Sequence, residues 1–422
     1  MDLIIRNAKL RQQEELIDIG IKNGVFEKIE KNLLAKGKKE IDSNGNLVSP
    51  PFVESHIHLD SALNAGKPRH NLTGTLLEAI DIWSERKLSL TKEDIKQGAR
   101  TTIKWLLANG VLKIRTHIDS TERNLLTLEA LLEVKDEMKD SVDIQIVAFP
   151  QDGIFSYQGM DKLLVKSIEM GADLIGGLPQ VELTYEDGIK SIDYVFNLAN
   201  KYGKLIDIHS DETTDANSRF IESIAKYTIE NSMEGLVSAS HCTAMHNYNN
   251  DYASKVIGNI SRAKLNIITN PSSNALLQNR LDGYPRARGH TRVDELLAKG
   301  VNVSIGNDNI MDPFGPLGKG SMLQVANLLA HTAHLSGLKQ INQLFDMITI
   351  NGAKTLNLED YGIEEGKPAD LIILDARDEY EALRLMSESL YVIRKGKIIS
   401  KTRPALRQVE FNENKYNIDF KI

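Results

Sequence analysis

Eight short apolar, β-branched runs recur along the chain, each followed by a stretch with helical spacing, and this alternation restricts the possible folds most. The runs are LVSPPFVESHIHLD (47–60), LKIRTHID (112–119), DIQIVAFP (143–150), ADLIGGLP (172–179), KLIDIHSD (204–211), LVSASHCT (236–243), KLNIITNP (264–271) and NVSIGNDN (302–309). Strands that are apolar along their length have both faces covered, as in a parallel sheet flanked by helices. Between them Leu125, Leu128, Leu131, Leu132 and Met138, or Ile189, Ile192, Val195, Phe196 and Leu198, repeat with the helical period. Eight such units predict an α/β chain closed into a (β/α)₈ TIM-like barrel. A doubly wound open sheet is the competing arrangement, and the strand count favours closure.

The two ends of the chain alternate polar and apolar residues instead. IDIGIKNGVFEKIE (17–30) reads as a hairpin turning at Asn23-Gly24, and LYVIRKGKIIS (390–400) as one turning at Lys395-Gly396. Neither is large enough to bury its own apolar face. The expectation is therefore a small discontinuous β-sandwich domain built from residues 1–50 and 365–422, with the barrel spanning 51–364 and Gly366-Lys367-Pro368 marking the return.

Charge and composition narrow the partners. Lys and Arg total 51 against 58 Asp and Glu, a net charge of −7, which argues against a chain that neutralises a phosphate backbone, so no nucleic acid is expected. The single Cys242 excludes an intrachain disulfide framework and a Cys-rich zinc site and suits a reducing compartment. No apolar run approaches the ~18 residues of a membrane span, and Asp2 and Arg6 interrupt what a signal peptide would keep apolar. A cytoplasmic location without a membrane partner follows as the expectation. Gly315, Gly318 and Gly320 match neither the P-loop nor the dinucleotide fingerprint and read as loop glycines.

Barrel active sites are assembled at the C-terminal ends of the strands, and polar residues gather there. His56 and His58 close the first run, Gln151 follows the third, His209 and Glu212 close the fifth, His241 the sixth and Asp308 the eighth. A spacing of two puts His56 and His58 on one side of a strand. Imidazoles from the first and fifth runs with Asp308 make a mixed nitrogen and oxygen shell suited to one divalent ion, Zn²⁺ or Fe²⁺. A metal-bound water has its pKa lowered from ~15.7 towards ~7, supplying a nucleophile at neutral pH. Glu212 is the candidate proton carrier, His241 a group that donates to the water or holds it, and Gln151 a carboxamide that can both donate to and accept from a ring amide.

The segments PPFVESHIHLD, GTLLEAIDIWSERK, IVAFPQDGI, DIHSDETTDANSRF, SASHCTAMHNYN and GNDNIMDPFGPLG, in order over nearly the whole chain, resemble the bacterial cytosine deaminases of the amidohydrolase superfamily. The resemblance implies a one-metal barrel with a small β domain from both termini. It makes His56, His58, His209 and Asp308 ligands of iron or zinc, and Glu212 the proton shuttle. His241 becomes the partner of the metal water, Gln151 the substrate carboxamide and Leu76 a contact to the substrate ring. In the implied reaction Asp308 also takes a proton from the attacking water, Glu212 protonates a ring nitrogen, and ammonia leaves. A homo-oligomer is implied as well.

Three positions depart from that pattern. Asn309 stands where a second aspartate is expected beside the substrate, Phe314 where tryptophan is expected, and Gln180 where histidine is expected. An amide in place of a carboxylate can donate as well as accept, which changes the ring edge or substituent that is admitted. The reading is thus a hydrolytic deaminase of cytosine or a close relative, with creatinine, isoguanine or an N-substituted aminotriazine as alternative substrates. A non-catalytic scaffold on the same fold is the reading from another class. His117 is expected beneath the site as support, His331 and His334 on a partly buried helix face, and His70, His246 and His290 on loops near the pocket. Cys242 is expected as a small buried hydrophobe.

Overall fold

The computed structural model of the chain describes residues 1–121, 124–284 and 286–421. The N-terminal segment supplies β1 (Leu3–Leu10), β2 (Leu16–Lys22), β3 (Val25–Glu30), β4 (Lys39–Asp42) and β5 (Leu47–Ser49). The barrel strands are β6 (Phe52–Ile57), β7 (Val111–Asp119), β8 (Asp143–Phe149), β9 (Leu174–Gly177), β10 (Leu205–Ser210), β11 (Val237–His241), β12 (Asn266–Thr269) and β13 (Asn302–Ile305). The chain then returns through β14 (Leu371–Leu374), β15 (Ser389–Arg394) and β16 (Lys397–Lys401), and ends in β17 (Gln408–Phe411) and β18 (Asn414–Asn417).

The run at 47–60, expected as one strand, is two. Pro50 and Pro51 have no N–H to give a ladder, so β5 stops at Ser49 and pairs within the terminal sheet, while β6 opens the barrel. Both expected hairpins form, and they are joined through the strands between them: β14 pairs antiparallel with β5, giving eight strands in the order β16-β15-β14-β5-β1-β2-β3, with β4 beside β1. This sheet folds back on itself, because Val25 at the start of β3 bridges to Pro368 just before β14. The enclosed core includes Ile5, Ile19, Ile21, Phe26, Leu371 and Ile393. Among the described residues β17 and β18 pair only with each other, and they are exposed along their length.

The parallel series runs β6 to β13 in sequence order, each strand beside its successor. Its two edges meet at a single parallel bridge between Ile57 and Asp308. Asp308 N–H donates to His56 O at 2.8 Å, and His58 N–H donates to Asp308 O at 2.9 Å. Gly306 permits this approach: a Cβ there would lie 2.6 Å from His56 O and 2.7 Å from His56 Cβ. The barrel is tied to the terminal sheet by Arg394, which donates to both carboxylate oxygens of Asp143 at 3.0 and 2.7 Å. Lys113 adds contacts to Asp143 at 2.6 Å and Asp370 at 2.8 Å. Among the described residues no helix is long and apolar enough to cross a membrane.

Candidate active site

The strand ends that carry the site leave β geometry abruptly. Asp211, His241 and Asp308 have φ of 51°, 70° and 65°, a left-handed conformation that non-glycine residues adopt rarely and that concentrates at functional sites. The result is a cavity at the C-terminal ends of the strands lined by every polar candidate except His56: His58, Gln151, His209, Glu212, His241, Asp308 and Asn309. Leu76 and Phe314 supply apolar wall. His56 lies fully buried beneath it.

His56 Nε2 and His58 Nε2 lie 3.4 and 3.5 Å from Asp308 Oδ1, and His58 Nε2 faces His209 Nε2 at 3.3 Å. Ligands ~2.0–2.1 Å from a shared tetrahedral centre stand ~3.3 Å apart, so these separations suit one small divalent ion. His56 Nε2 is buried with no hydrogen-bond partner, which a bound cation would remedy. The donor set of imidazole and carboxylate fits zinc or ferrous iron.

Burial drives His56 and His209 towards the neutral, ligand-competent form. It lowers His56 to about 4, helped by the neighbouring His117, and holds His209 well below its ordinary value among the other histidines. Asp308 moves the other way: burial alone would raise it, but the close approach of His56 and the surrounding imidazoles hold it below the usual carboxylate range. His56 Nδ1 meets Ser240 Oγ at 2.9 Å, and Ser240 Oγ donates to Asp207 at 2.8 Å. His117 stacks 4.0 Å from the His56 ring and lies 3.5 Å from Asp207 Oδ1, so it sits under the site.

Glu212 lies 3.4 Å from His241 Nδ1. Its burial, reinforced by the nearby Asp308 charge, pushes its carboxyl well above the ordinary range, the condition in which a carboxylic acid holds a proton to deliver. Asn274 donates its amide to His241 Nδ1 at 3.0 Å, and burial lowers His241 to about 3. Phe149 stacks on His209 at 4.0 Å and fixes the ring plane.

Asn309 is more constrained than its chemistry alone implies. Its Oδ1 accepts from Ser273 Oγ at 2.9 Å and its Nδ2 donates to Asp312 at 2.9 Å, so the carboxamide is oriented, with its second N–H and one lone pair of Oδ1 left for a ligand. Asp312 also accepts from Ser61 Oγ at 2.8 Å and from the N–H groups of Phe314 and Gly315. Sequence reasoning missed Asp60, Ser61, Trp83 and Asp119 in the cavity wall. Two of these had a usable signal: Asp60 follows the His-x-His by two, and Asp119 stands two beyond His117 on the same face of β7. Trp83 reaches the wall from the helix Leu76–Lys87 and donates to Asp119 at 3.1 Å.

Among the described residues, those that line the cavity do not include Gln180, His70, His246 or His290. His331 and His334, expected on a partly buried face, are both exposed: the helix ends at Thr332, and His334 lies beyond it. Cys242 is buried and free.

Compared with protein families, the chain matches the Amidohydrolase family over residues 39–400. N-isopropylammelide isopropyl amidohydrolase of Pseudomonas sp. (strain ADP) is 33% identical over 95% of this chain and 97% of its own length. Pterin deaminase of Rhizobium rhizogenes is 30% identical over 87% and 84%. Among solved structures, 5-methylcytosine deaminase from Klebsiella pneumoniae liganded with phosphonocytosine superposes with a TM-score of 0.93 at 43% identity, covering 96% of this chain and 99% of that one.

Proposed function

This chain belongs to the amidohydrolase family, and from that premise we propose that it is a metal-dependent deaminase of cytosine or a close relative, 5-substituted cytosines included. The observation that carries the reading is the meeting of His58 and His209 nitrogens at 3.3 Å beside an unpartnered His56 Nε2 and the Asp308 carboxylate. The likeness to 5-methylcytosine deaminase supports the substrate class.

His56, His58, His209 and Asp308 would hold one ion, iron or zinc. Such an ion makes solvent acidic enough to serve as a hydroxide-like nucleophile at neutral pH. The remaining work falls to the chain. Glu212, held protonated by burial, gives its proton to a ring nitrogen and so makes the amino-bearing carbon electrophilic. It then carries a proton from the added water to the departing amine. One water is consumed, the C–N bond breaks, a carbonyl replaces the amino group and ammonia leaves. Gln151 pairs with the ring amide, His241 steadies the added oxygen, and Leu76 and Phe314 flank the ring.

A deaminase acting on an N-substituted aminotriazine is the second reading, favoured by the 33% identity to the N-isopropylammelide enzyme over nearly its full length. The proposal extends to a cytoplasmic homo-oligomer that acts on a small heterocycle rather than on nucleic acid or membrane, with residues 1–50 and 365–422 as one small domain around the barrel of 51–364. The test is ammonia release by iron-loaded and zinc-loaded protein from cytosine, 5-methylcytosine, isoguanine, creatinine and an aminotriazine. Turnover of the pyrimidines above the others supports the reading. Loaded protein that releases ammonia from none of them rejects it.

A further inference from the structure

The floor of the cavity contains a directed chain of hydrogen bonds that no ligand would touch. Arg115, 1% exposed, donates to Asp207 Oδ2 at 2.8 Å. Its other bonds go to Ser238 Oγ, Gln145 Oε1 and the Thr355 carbonyl, so four hydrogen bonds hold the guanidinium in the barrel interior. Asp207, itself fully buried and paired with this cation, is an acceptor only. Ser240 Oγ has a single proton, and the 2.8 Å contact to Asp207 Oδ1 takes it. Towards His56 Nδ1, 2.9 Å away, the same oxygen can therefore only accept.

The consequence reaches the other side of the ring. With Nδ1 obliged to carry the proton, Nε2 keeps its lone pair, and that nitrogen is buried, unpartnered and 3.4 Å from Asp308 Oδ1. The reverse tautomer would set two bare acceptors, Ser240 Oγ and Nδ1, against each other in a dry interior and aim an N–H at the shared ligand position. Ser240 lies on β11, buried, with its hydroxyl engaged by both Asp207 and His56.

Resting on the metal-centre reading above, we infer that Ser240 is a positioning residue that sets the His56 tautomer, relaying the negative charge of Asp207 so that His56 presents Nε2 to a divalent ion. The residue touches neither ion nor substrate, and its effect is exerted through His56. Loss of such an outer partner costs 10–100-fold in metal affinity.

The test uses full-length, zinc-loaded protein. Competition with a chromogenic chelator is expected to show zinc bound 10–100-fold more weakly by Ser240→Ala, while Ser240→Thr, which keeps the hydroxyl, restores affinity to within a few-fold of wild type. At saturating zinc, Ser240→Ala should keep the wild-type KM, because nothing lining the cavity has changed. Equal zinc affinity in wild type and Ser240→Ala overturns the inference alone. A wild-type chain that takes up no divalent ion overturns the metal-centre reading and this inference with it. Long-range ¹⁵N–¹H correlation on the histidines of the wild-type zinc form supplies a readout independent of any variant's folding. A proton on Nδ1 of His56 with Nε2 ligated supports the relay, and a proton on Nε2 overturns it.

Discussion

Glu54 holds Asn307 by both ends of its carboxylate: Oε1 accepts the Asn307 backbone N–H at 3.0 Å and Oε2 its side-chain amide at 2.6 Å. Oε1 also accepts the His56 N–H at 3.1 Å, so one buried carboxyl group joins β6, which carries His56, to the segment after β13 that carries Asp308. Glu54→Gln would turn an amide N–H₂ towards donors and leave buried groups unpaired. The expected cost is ~1–3 kcal/mol of stability together with reduced metal content, read by thermal unfolding and elemental analysis. An unchanged melting temperature would show that the seam does not depend on this contact.

Glu212→Gln should keep its metal and lose turnover. The carboxyl lies off the ligand cluster, so coordination is untouched, whereas proton transfer contributes ~10²–10⁴-fold in rate. Steady-state kcat beside metal content checks this, and full turnover in the variant would reject the shuttle role.

Removing the ion should lower thermal stability as well as activity, because ligand binding to the folded state alone adds to its stability. Chelator treatment is expected to depress the melting temperature by several degrees, with recovery when zinc or ferrous iron is restored. A melting temperature indifferent to chelation and reloading would contradict a metal bridging β6, β10 and the segment after β13.

Asn309→Asp is expected to shift preference towards cytosine and to slow the enzyme on its own substrate by roughly tenfold or more. The new carboxylate would face Asp312, which Asn309 Nδ2 approaches at 2.9 Å, and the donated hydrogen bond would become a like-charge contact. Competing kcat/KM measurements on cytosine and 5-methylcytosine decide this. An unaltered ratio would remove position 309 from the selectivity determinants.

The joint between barrel and terminal sheet should be sensitive to acid. Burial raises the Asp143 carboxyl, but Arg394 and Lys113 outweigh it and bring the group down to about 2 from an ordinary 3.8. A carboxylate depressed on folding stabilises the native state above its unfolded value, and that contribution is lost as pH falls from about 4 through about 2. Half of the Asp143 side chain remains open to solvent, so the effect at neutral pH is at most ~1 kcal/mol. Wild type and Asp143→Asn should therefore differ in melting temperature near neutrality and converge in acid. Parallel curves down to pH 2 would refute the assignment.

The site was legible in the chain to the extent that strand ends could be counted. His56, His58, His209, His241 and Asp308 each close an apolar run, and a parallel barrel brings such ends to one rim. Trp83 was not legible, because it reaches the cavity from the helix Leu76–Lys87 and meets Asp119 at the end of β7 only once the two segments pack. Nor was the orientation of Asn309, whose two polar ends are claimed by Ser273 and Asp312 from different segments.

Sequence alone determined the β/α alternation, the paired terminal hairpins and the residue types available to bind a cation, because periodicity and side-chain chemistry are local properties. Tertiary structure decided how β5 and β6 divide a single apolar run at Pro50-Pro51, which histidine nitrogen is bare, and how the Asn309 carboxamide is turned. Those outcomes depend on who stands opposite: a ladder partner, the Ser240 hydroxyl or the Asp312 carboxylate, each brought into contact only when distant segments pack.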